Sequence, residues 1–199
     1  AQPIRGTTPP APASLTKLMT ALLVLEQGNL ESELTVSPDA TRETGSRLGL
    51  NSGERFRTQD LLAAALLDSA NDACHALADH VSGNESAFVA LMNRRMQALG
   101  MRNTRFANAC GHDQPGHYST AQDLAILAHA LLKHPSLLEI TTQKNAQIST
   151  LDNQRHYNLQ NKNALIGRYD GALGLKTGFT PNAGKCLVAY AKRGDHTVL

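Results

Sequence analysis

Ala172-Leu-Gly-Leu-Lys-Thr-Gly-Phe-Thr-Pro-Asn-Ala-Gly-Lys-Cys-Leu-Val-Ala-Tyr-Ala-Lys192 decides the fold class of this chain. Residues 172–179 and 185–192 read as two β-strands, and Thr180-Pro-Asn-Ala-Gly184 supplies the Pro, Asn and Gly of a hairpin connection. His196-Thr-Val-Leu199 has strand character too. Upstream the period lengthens. From Ser14 onward Leu15, Leu18, Met19, Leu22, Leu23 and Leu25 recur at helical spacing until Gly28-Asn29, almost all round the helix, which predicts a buried helix. Residues 31–57 are irregular and polar, with turn signals and room for short strands. Thr58 opens a second helix with an apolar run at 61–67. Ser69-Ala-Asn-Asp72 interrupts it, and helical spacing resumes to about Val81. Asn84 or Ser86 starts a further helix that Gly100 ends, and Ser119 with Gln122 has capping-box spacing for one that stops near Pro135. Helices in the middle, strands at the end and no regular βαβ alternation predict an α+β fold, with a helical region at approximately 58–140 inserted into one domain over 1–199.

The 199 residues suffice for a sizeable core. Lys and Arg number 19 against 17 Asp and Glu, a net +2, so there is no basic footprint for nucleic acid. No apolar stretch approaches the roughly 18 residues that span a membrane, and Trp is absent, which argues against stacking platforms for bases or sugars. Cys74, Cys110 and Cys186 are far apart with no CxxC pair, His75/His80 and His129/His134 are five apart, and there is no HExxH. These spacings predict no metal or redox centre, with Cys74 and Cys186 as small buried apolar residues. Residues 1–13, rich in Pro, Thr and Ala, read as an extended lead-in without Met or a signal pattern, so the chain reads as a processed or excised piece.

Three short motifs carry chemistry. Ser14-Leu-Thr-Lys17 places a hydroxyl and an amine at i and i+3 on the opening turn of the buried helix, so Lys17 can reach Ser14. A serine needs a nearby base, and a lysine serves once desolvation or another cation lowers its pKa. Ser69-Ala-Asn71 falls at a break between helices, where Ser69 can relay a proton and the Asn71 amide can orient the lysine or meet a substrate carbonyl. Lys176-Thr-Gly178 lies on a predicted strand, where Lys and a Thr hydroxyl suit a carboxylate and Gly admits a close backbone approach. Alone, each has an ordinary structural explanation: a helix cap, a junction, a strand-end bulge. In this order and on these elements, the set points to acyl transfer.

With these motifs, Pro12-Ala-Ser-Leu-Thr-Lys-Leu-Met-Thr20, the stretch 91–106, Pro115-Gly-His-Tyr-Ser119 and Gly174-Leu-Lys-Thr-Gly-Phe-Thr180, the chain resembles the serine penicillin-recognising enzymes. The likeness is greatest to the low-molecular-mass penicillin-binding proteins that act as D-alanyl-D-alanine carboxypeptidases. That resemblance implies a β-lactamase/transpeptidase-like fold, an antiparallel sheet packed with a helical subdomain. Only 13 residues precede Ser14 and nothing follows Leu199, so the sheet is expected to be incomplete in this chain. It further implies Ser14 as nucleophile and Lys17 as base, with Lys176 helping to depress the Lys17 pKa. Ser69 would pass a proton to the leaving D-alanine, and Asn71 would hold Lys17 and the peptide. Lys176 and Thr177 would bind the terminal carboxylate, Gly178 the substrate backbone, and the Phe179 N–H would share the oxyanion with that of Ser14. The implied partners are a peptidoglycan stem peptide and β-lactams, with no cofactor, no metal and no nucleic acid. The implied location is the periplasm or the extracytoplasmic face of the bacterial inner membrane, with membrane association only through segments absent from this chain. A D,D-endopeptidase and a non-catalytic binder of cell-wall peptide remain alternatives. A β-lactamase is the further one, but no ExxLN-like segment follows the SxN: Glu139 precedes Ile-Thr-Thr and Glu85 precedes Ser-Ala-Phe-Val.

Overall fold

The computed structural model describes residues 9–199, so the first eight residues of the expected lead-in lie outside the described residues. The predicted hairpin forms: β5 (Ala172–Thr180) pairs antiparallel with β6 (Gly184–Arg193), and β7 (His196–Val198) adds to β6. Two smaller antiparallel pairs lie apart from it, β1 (Glu33–Thr35) with β2 (Arg55–Arg57) and β3 (Asn145–Ser149) with β4 (His156–Gln160). In β4 the side chains alternate exposed and buried, with Tyr157 and Leu159 inward, as a strand with one wet face requires.

The helix expected from Ser14 begins as a tight 3₁₀ turn, Ala13–Thr16, and becomes α1 only at Lys17–Gln27. It is central, as its all-round apolar pattern requires. Leu18, Met19 and Leu22 are fully buried, and each such side chain contributes about 1.5–3 kcal/mol by leaving water. Gly28 ends it in the left-handed conformation (φ 77°), which a residue without Cβ adopts freely. α2 (Thr58–Ala63) widens into a π-type turn (Ala64–Asp68) that ends at Ser69, and α3 (Asn71–Ser82) starts two residues later. α4 (Glu85–Ala98) is capped by Asn84, whose Oδ1 accepts from the Ala87 N–H at 2.9 Å.

Two boundaries differ from the sequence reading. α5 (Ala121–Leu131) is capped by Thr120, whose hydroxyl accepts from the Asp123 N–H (3.2 Å), while Ser119 is taken up by Thr104 at 2.9 Å. The Ser119–Gln122 spacing is therefore coincidental. Pro135 does not only stop a helix: it sits at the first position of α6 (Pro135–Thr141), where its missing N–H costs nothing. β5 runs alongside the 3₁₀ turn, so the sheet edge and the head of α1 face one another.

Candidate active site

Ser14 sits on the 3₁₀ turn, partly exposed, while Ala13, Leu15 and Thr16 around it are buried. Ala13 holds a left-handed conformation (φ 49°), costly for a residue with a Cβ and therefore dependent on its surroundings. Two features supply them. Thr16 Oγ1 donates to the Ala13 carbonyl at 2.8 Å and is itself 2.8 Å from His117 Nε2. His117 Nδ1 accepts from the Ala107 N–H at 2.9 Å, which leaves the ring proton on Nε2 to donate to Thr16. Burial lowers the His117 pKa to about 4, so the neutral ring is the stable form.

Lys17 is 1% exposed. Its Nζ donates to Ser14 Oγ (3.2 Å), Asn71 Oδ1 (2.6 Å) and the Cys110 carbonyl (2.6 Å). Three acceptors match the three N–H bonds of an ammonium, which is what makes so deep a burial tolerable. The i, i+3 reach from Lys17 to Ser14 is as the sequence predicts. Asn71 is fixed from behind: its Nδ2 donates to the Thr44 carbonyl (2.6 Å) and its main-chain N–H to the Ser46 carbonyl (2.7 Å). Cys110 lies in a turn closed by Asn108, whose Oδ1 accepts from the N–H groups of Gly111 (2.7 Å) and His112 (3.0 Å). At Gly111 (φ +96°) a Cβ would lie 2.0 Å from the Ala13 carbonyl oxygen, so only glycine lets this loop press against the Ser14 turn.

The third wall is β5. Lys176, also 1% exposed, donates from Nζ to Ser69 Oγ (3.0 Å) and to the Thr177 carbonyl (2.9 Å). Ser69 is in a left-handed conformation (φ 63°) at the end of the π-type turn, which aims its hydroxyl at Lys176. Gly178 lies against the Ser14 turn: a Cβ there would be 3.1 Å from the Ser14 nitrogen and 3.2 Å from the Ala13 Cβ. The expected close approach at this glycine is thus to the protein's own backbone on the Ser14 side. Thr177 is half-buried beside it, and Phe179 is exposed, its residue paired with Lys185 across the hairpin.

Burial, reinforced by the charge of Lys17, pushes the Lys176 amine well below the usual lysine range. The sequence reading assigned the depression to Lys17. The two amines oppose one another across the site, and the charge of Lys17 acts on Lys176. Beyond Asn71, Glu43 lies between two imidazoles, Oε1 at 2.7 Å from His75 Nδ1 and Oε2 at 2.6 Å from His112 Nε2. Burial alone would raise the Glu43 pKa, but hydrogen bonds to His112 and His75 outweigh it and hold it at about 2. Burial would lower that of His75, yet the hydrogen bond to Glu43 and the charges of Asp79 and Glu85 take it to about 9.

The peptidase S11 family, described as D-alanyl-D-alanine carboxypeptidase, matches residues 6–199. The chain belongs to this family. It is 38% identical over 190 residues to D-alanyl-D-alanine carboxypeptidase DacF of Bacillus subtilis, covering 93% of this chain and 49% of that protein. To DacC of Escherichia coli it is 37% identical over 196 residues, covering 92% and 48%. The chain thus spans about half the length of the curated relatives it matches. The crystal structure of the Streptomyces K15 DD-transpeptidase superimposes with a TM-score of 0.87 at 31% identity, covering 96% of this chain and 79% of that one. The carboxypeptidase DacD from Francisella tularensis gives 0.87 at 27% identity, covering 96% and 60%. These likenesses bear out the transpeptidase-like α+β fold.

Within this carboxypeptidase-family fold all eight residues singled out from the sequence fall on the turn 13–17, the junction 69–71 and the strand 176–179, which meet. The sequence reading missed the Cys110 carbonyl, Gly111, and the His117–Thr16 support. A main-chain acceptor has no residue signature. The one available sign was the Asn108-Ala-Cys-Gly111 turn pattern.

Proposed function

We propose that this chain carries the acyl-transfer centre of a serine D-Ala-D-Ala carboxypeptidase, which removes the terminal D-alanine of peptidoglycan stem peptides and is acylated by β-lactams. The observation behind this is the buried Lys17 amine, 3.2 Å from a reachable Ser14 hydroxyl and held by Asn71 and the Cys110 carbonyl, with a second buried amine on the facing strand. In the reaction Lys17 acts as the free amine: Ser14 Oγ gives its proton to Lys17 Nζ as it bonds to the carbonyl carbon of the penultimate D-alanine. The oxyanion meets the N–H groups of Ser14 and Phe179. The C–N bond then breaks, and the leaving amine takes the proton by way of Ser69. Water hydrolyses the ester and frees Ser14. Lys176 and Thr177 hold the terminal carboxylate, whose negative charge favours the ammonium form of Lys176.

The cell-wall peptide it would cleave lies outside the cytoplasm, which supports an extracytoplasmic site of action; no described helix is long and apolar enough to cross a membrane. Neither glutamate weighed for a β-lactamase supports that role: Glu139 is exposed on α6, and Glu85 accepts from the Ala109 N–H at 2.9 Å. The test is covalent labelling by a fluorescent penicillin of the wild type and Ser14→Ala, with D-alanine release from a pentapeptide measured beside turnover of a chromogenic cephalosporin. Labelling abolished by the substitution and release of D-alanine without rapid cephalosporin turnover are expected. Labelling that survives Ser14→Ala overturns the nucleophile, and fast cephalosporin turnover without D-alanine release overturns the carboxypeptidase.

A further inference from the structure

Glu43, His75 and Glu85 each present one donor atom, and the three atoms lie within 4.8 Å of one another. They come from different places: Glu43 from the loop after β1, His75 from α3, Glu85 from the first position of α4. His75 is buried and both glutamates are half-buried. Nothing in the acyl-transfer chemistry uses any of them.

Three properties distinguish this cluster from an ordinary surface ion pair. The donor set is mixed, one imidazole nitrogen and two carboxylate oxygens, the kind that binds zinc or a similar first-row ion in preference to calcium or magnesium. Each donor is also backed by a second group. His75 has Nδ1 2.7 Å from Glu43 Oε1 and Nε2 3.6 Å from Asp79 Oδ1, so a carboxylate stands behind the imidazole. Glu43 Oε2 is held by His112 Nε2 at 2.6 Å, and Glu85 Oε1 by the Ala109 N–H at 2.9 Å. Such outer partners fix ligand orientation in metal sites. Finally, the cluster is rich in acid. Glu43, Glu85 and Asp79 surround His75, and among the described residues the ion-pair partners of these carboxylates are the imidazoles of His75 and His112, with no lysine or arginine.

We infer that Glu43, His75 and Glu85 form a three-ligand site for a divalent transition ion, best matched by zinc(II), with its fourth position open to water. Tetrahedral bonds of about 2.0–2.1 Å set neighbouring donors about 3.3 Å apart. That separation lies between the 2.7 Å hydrogen bond of His75 to Glu43 and the 4.8 Å limit of the set, so closure needs side-chain adjustment and release to water of the proton held between His75 Nδ1 and Glu43. The ion would tie together the segments that shape the polar wall of the site. Thr44, next to Glu43, holds Asn71 through its carbonyl, and Ala109, bonded to Glu85, precedes the Cys110 carbonyl that holds Lys17. The expectation from sequence that no metal site exists followed from looking for ligands at fixed spacing, and these three are contributed by separate segments.

This inference is independent of the acyl-transfer reaction, and its test reads the metal. Chelator-stripped protein is titrated with ZnCl2 by calorimetry and native mass spectrometry, with cobalt(II) substituted for its visible absorption. The expected result is one ion per chain, a melting temperature that rises with ZnCl2, and cobalt bands of a four-coordinate site. Glu43→Gln and Glu85→Gln should each weaken binding at least about 10-fold, and Asp79→Asn, behind the imidazole, by about 10- to 100-fold. Glu85 lies at the half-buried rim, so its variant keeps the test valid should Glu43→Gln fail to fold. Absence of stoichiometric uptake by the wild type overturns the site. So does uptake unchanged in Glu85→Gln and Asp79→Asn.

Discussion

Replacing Gly111 with alanine puts one methyl group against the main chain of the proposed nucleophile. Two costs separate cleanly. The first is conformational, since φ is +96° and an L-residue pays about 1–2 kcal/mol in the left-handed region. The second is collision. The new Cβ would lie 2.0 Å from the Ala13 carbonyl oxygen, 2.4 Å from its carbon and 2.9 Å from the Ser14 nitrogen. Opening the first contact to about 3.3 Å, the short end of C···O approaches, takes a shift of about 1.3 Å. Ala13 is already left-handed and its carbonyl is held by Thr16, so the turn has no slack direction. A 1 Å misplacement of a reacting group costs on the order of 100-fold in rate. Gly28→Ala is the matched control: φ is +77° and nothing lies within 4 Å of the added methyl, so it carries the conformational cost alone. The second-order rate of acylation by a fluorescent penicillin should fall about 100-fold in Gly111→Ala and stay unchanged in Gly28→Ala. Urea unfolding should record a loss of about 2–5 kcal/mol in the first and about 1–2 kcal/mol in the second. A folded Gly111→Ala that acylates within about threefold of wild type would refute the reasoning, and so would equal losses of rate in both variants.

Asp72 is buried and accepts from the N–H groups of Leu48 (3.1 Å), Gly49 (2.8 Å) and Leu50 (3.1 Å); Asp72→Ala should cost about 3 kcal/mol or more in urea unfolding, and a loss below about 1 kcal/mol would show that water replaces it. Asn71→Ala takes away the 2.6 Å acceptor of Lys17, a charge-assisted bond worth about 1.5–3 kcal/mol, and should slow penicillin acylation about 10- to 100-fold; an unchanged rate would remove Asn71 from the proposed machinery. His117, with a folded pKa of about 4 against 6.5 unfolded, binds fewer protons folded than unfolded between those values. Stability should therefore be full above pH 6.5 and fall by about 3 kcal/mol as pH drops towards 4, a slope that urea titrations of His117→Gln should lack.

Side-chain pattern made the larger part of this molecule legible. The run Leu15 to Leu25 is apolar on all sides and is the central helix, and the turn residues at 180–184 mark the hairpin. The motif serines, lysines and asparagine were legible because i, i+3 spacing on one turn settles Lys17 against Ser14 without tertiary information. What stayed hidden was long-range or main-chain. The Cys110 carbonyl is 93 residues from Lys17, and the partners of Glu43 lie 32 and 69 residues away. Ser119 was misread as a cap because Thr104, 15 residues off, competes for its hydroxyl. Strands β3 and β4 escaped because short half-polar strands have little periodic signal of their own.

The two buried lysines show how charge and burial divide the proposed labour. Lys17 has three acceptors, Ser14, Asn71 and the Cys110 carbonyl, whereas Lys176 has two, one of them its neighbour's carbonyl. With both amines buried and each opposing charge on the other, the less well-partnered one gives way, and that is Lys176. In the reaction proposed above, an arriving substrate carboxylate supplies the missing partner and draws a proton onto Lys176. In the proposed mechanism the carboxylate that identifies a C-terminal residue therefore sets the charge of Lys176, the amine that holds Ser69. Peptides amidated at the C-terminus should then lose rate in the acylation step itself, beyond any loss in binding. Single-turnover acylation at saturating peptide measures that step, and equal rates for acid and amide would remove the carboxylate–Lys176 contact from it.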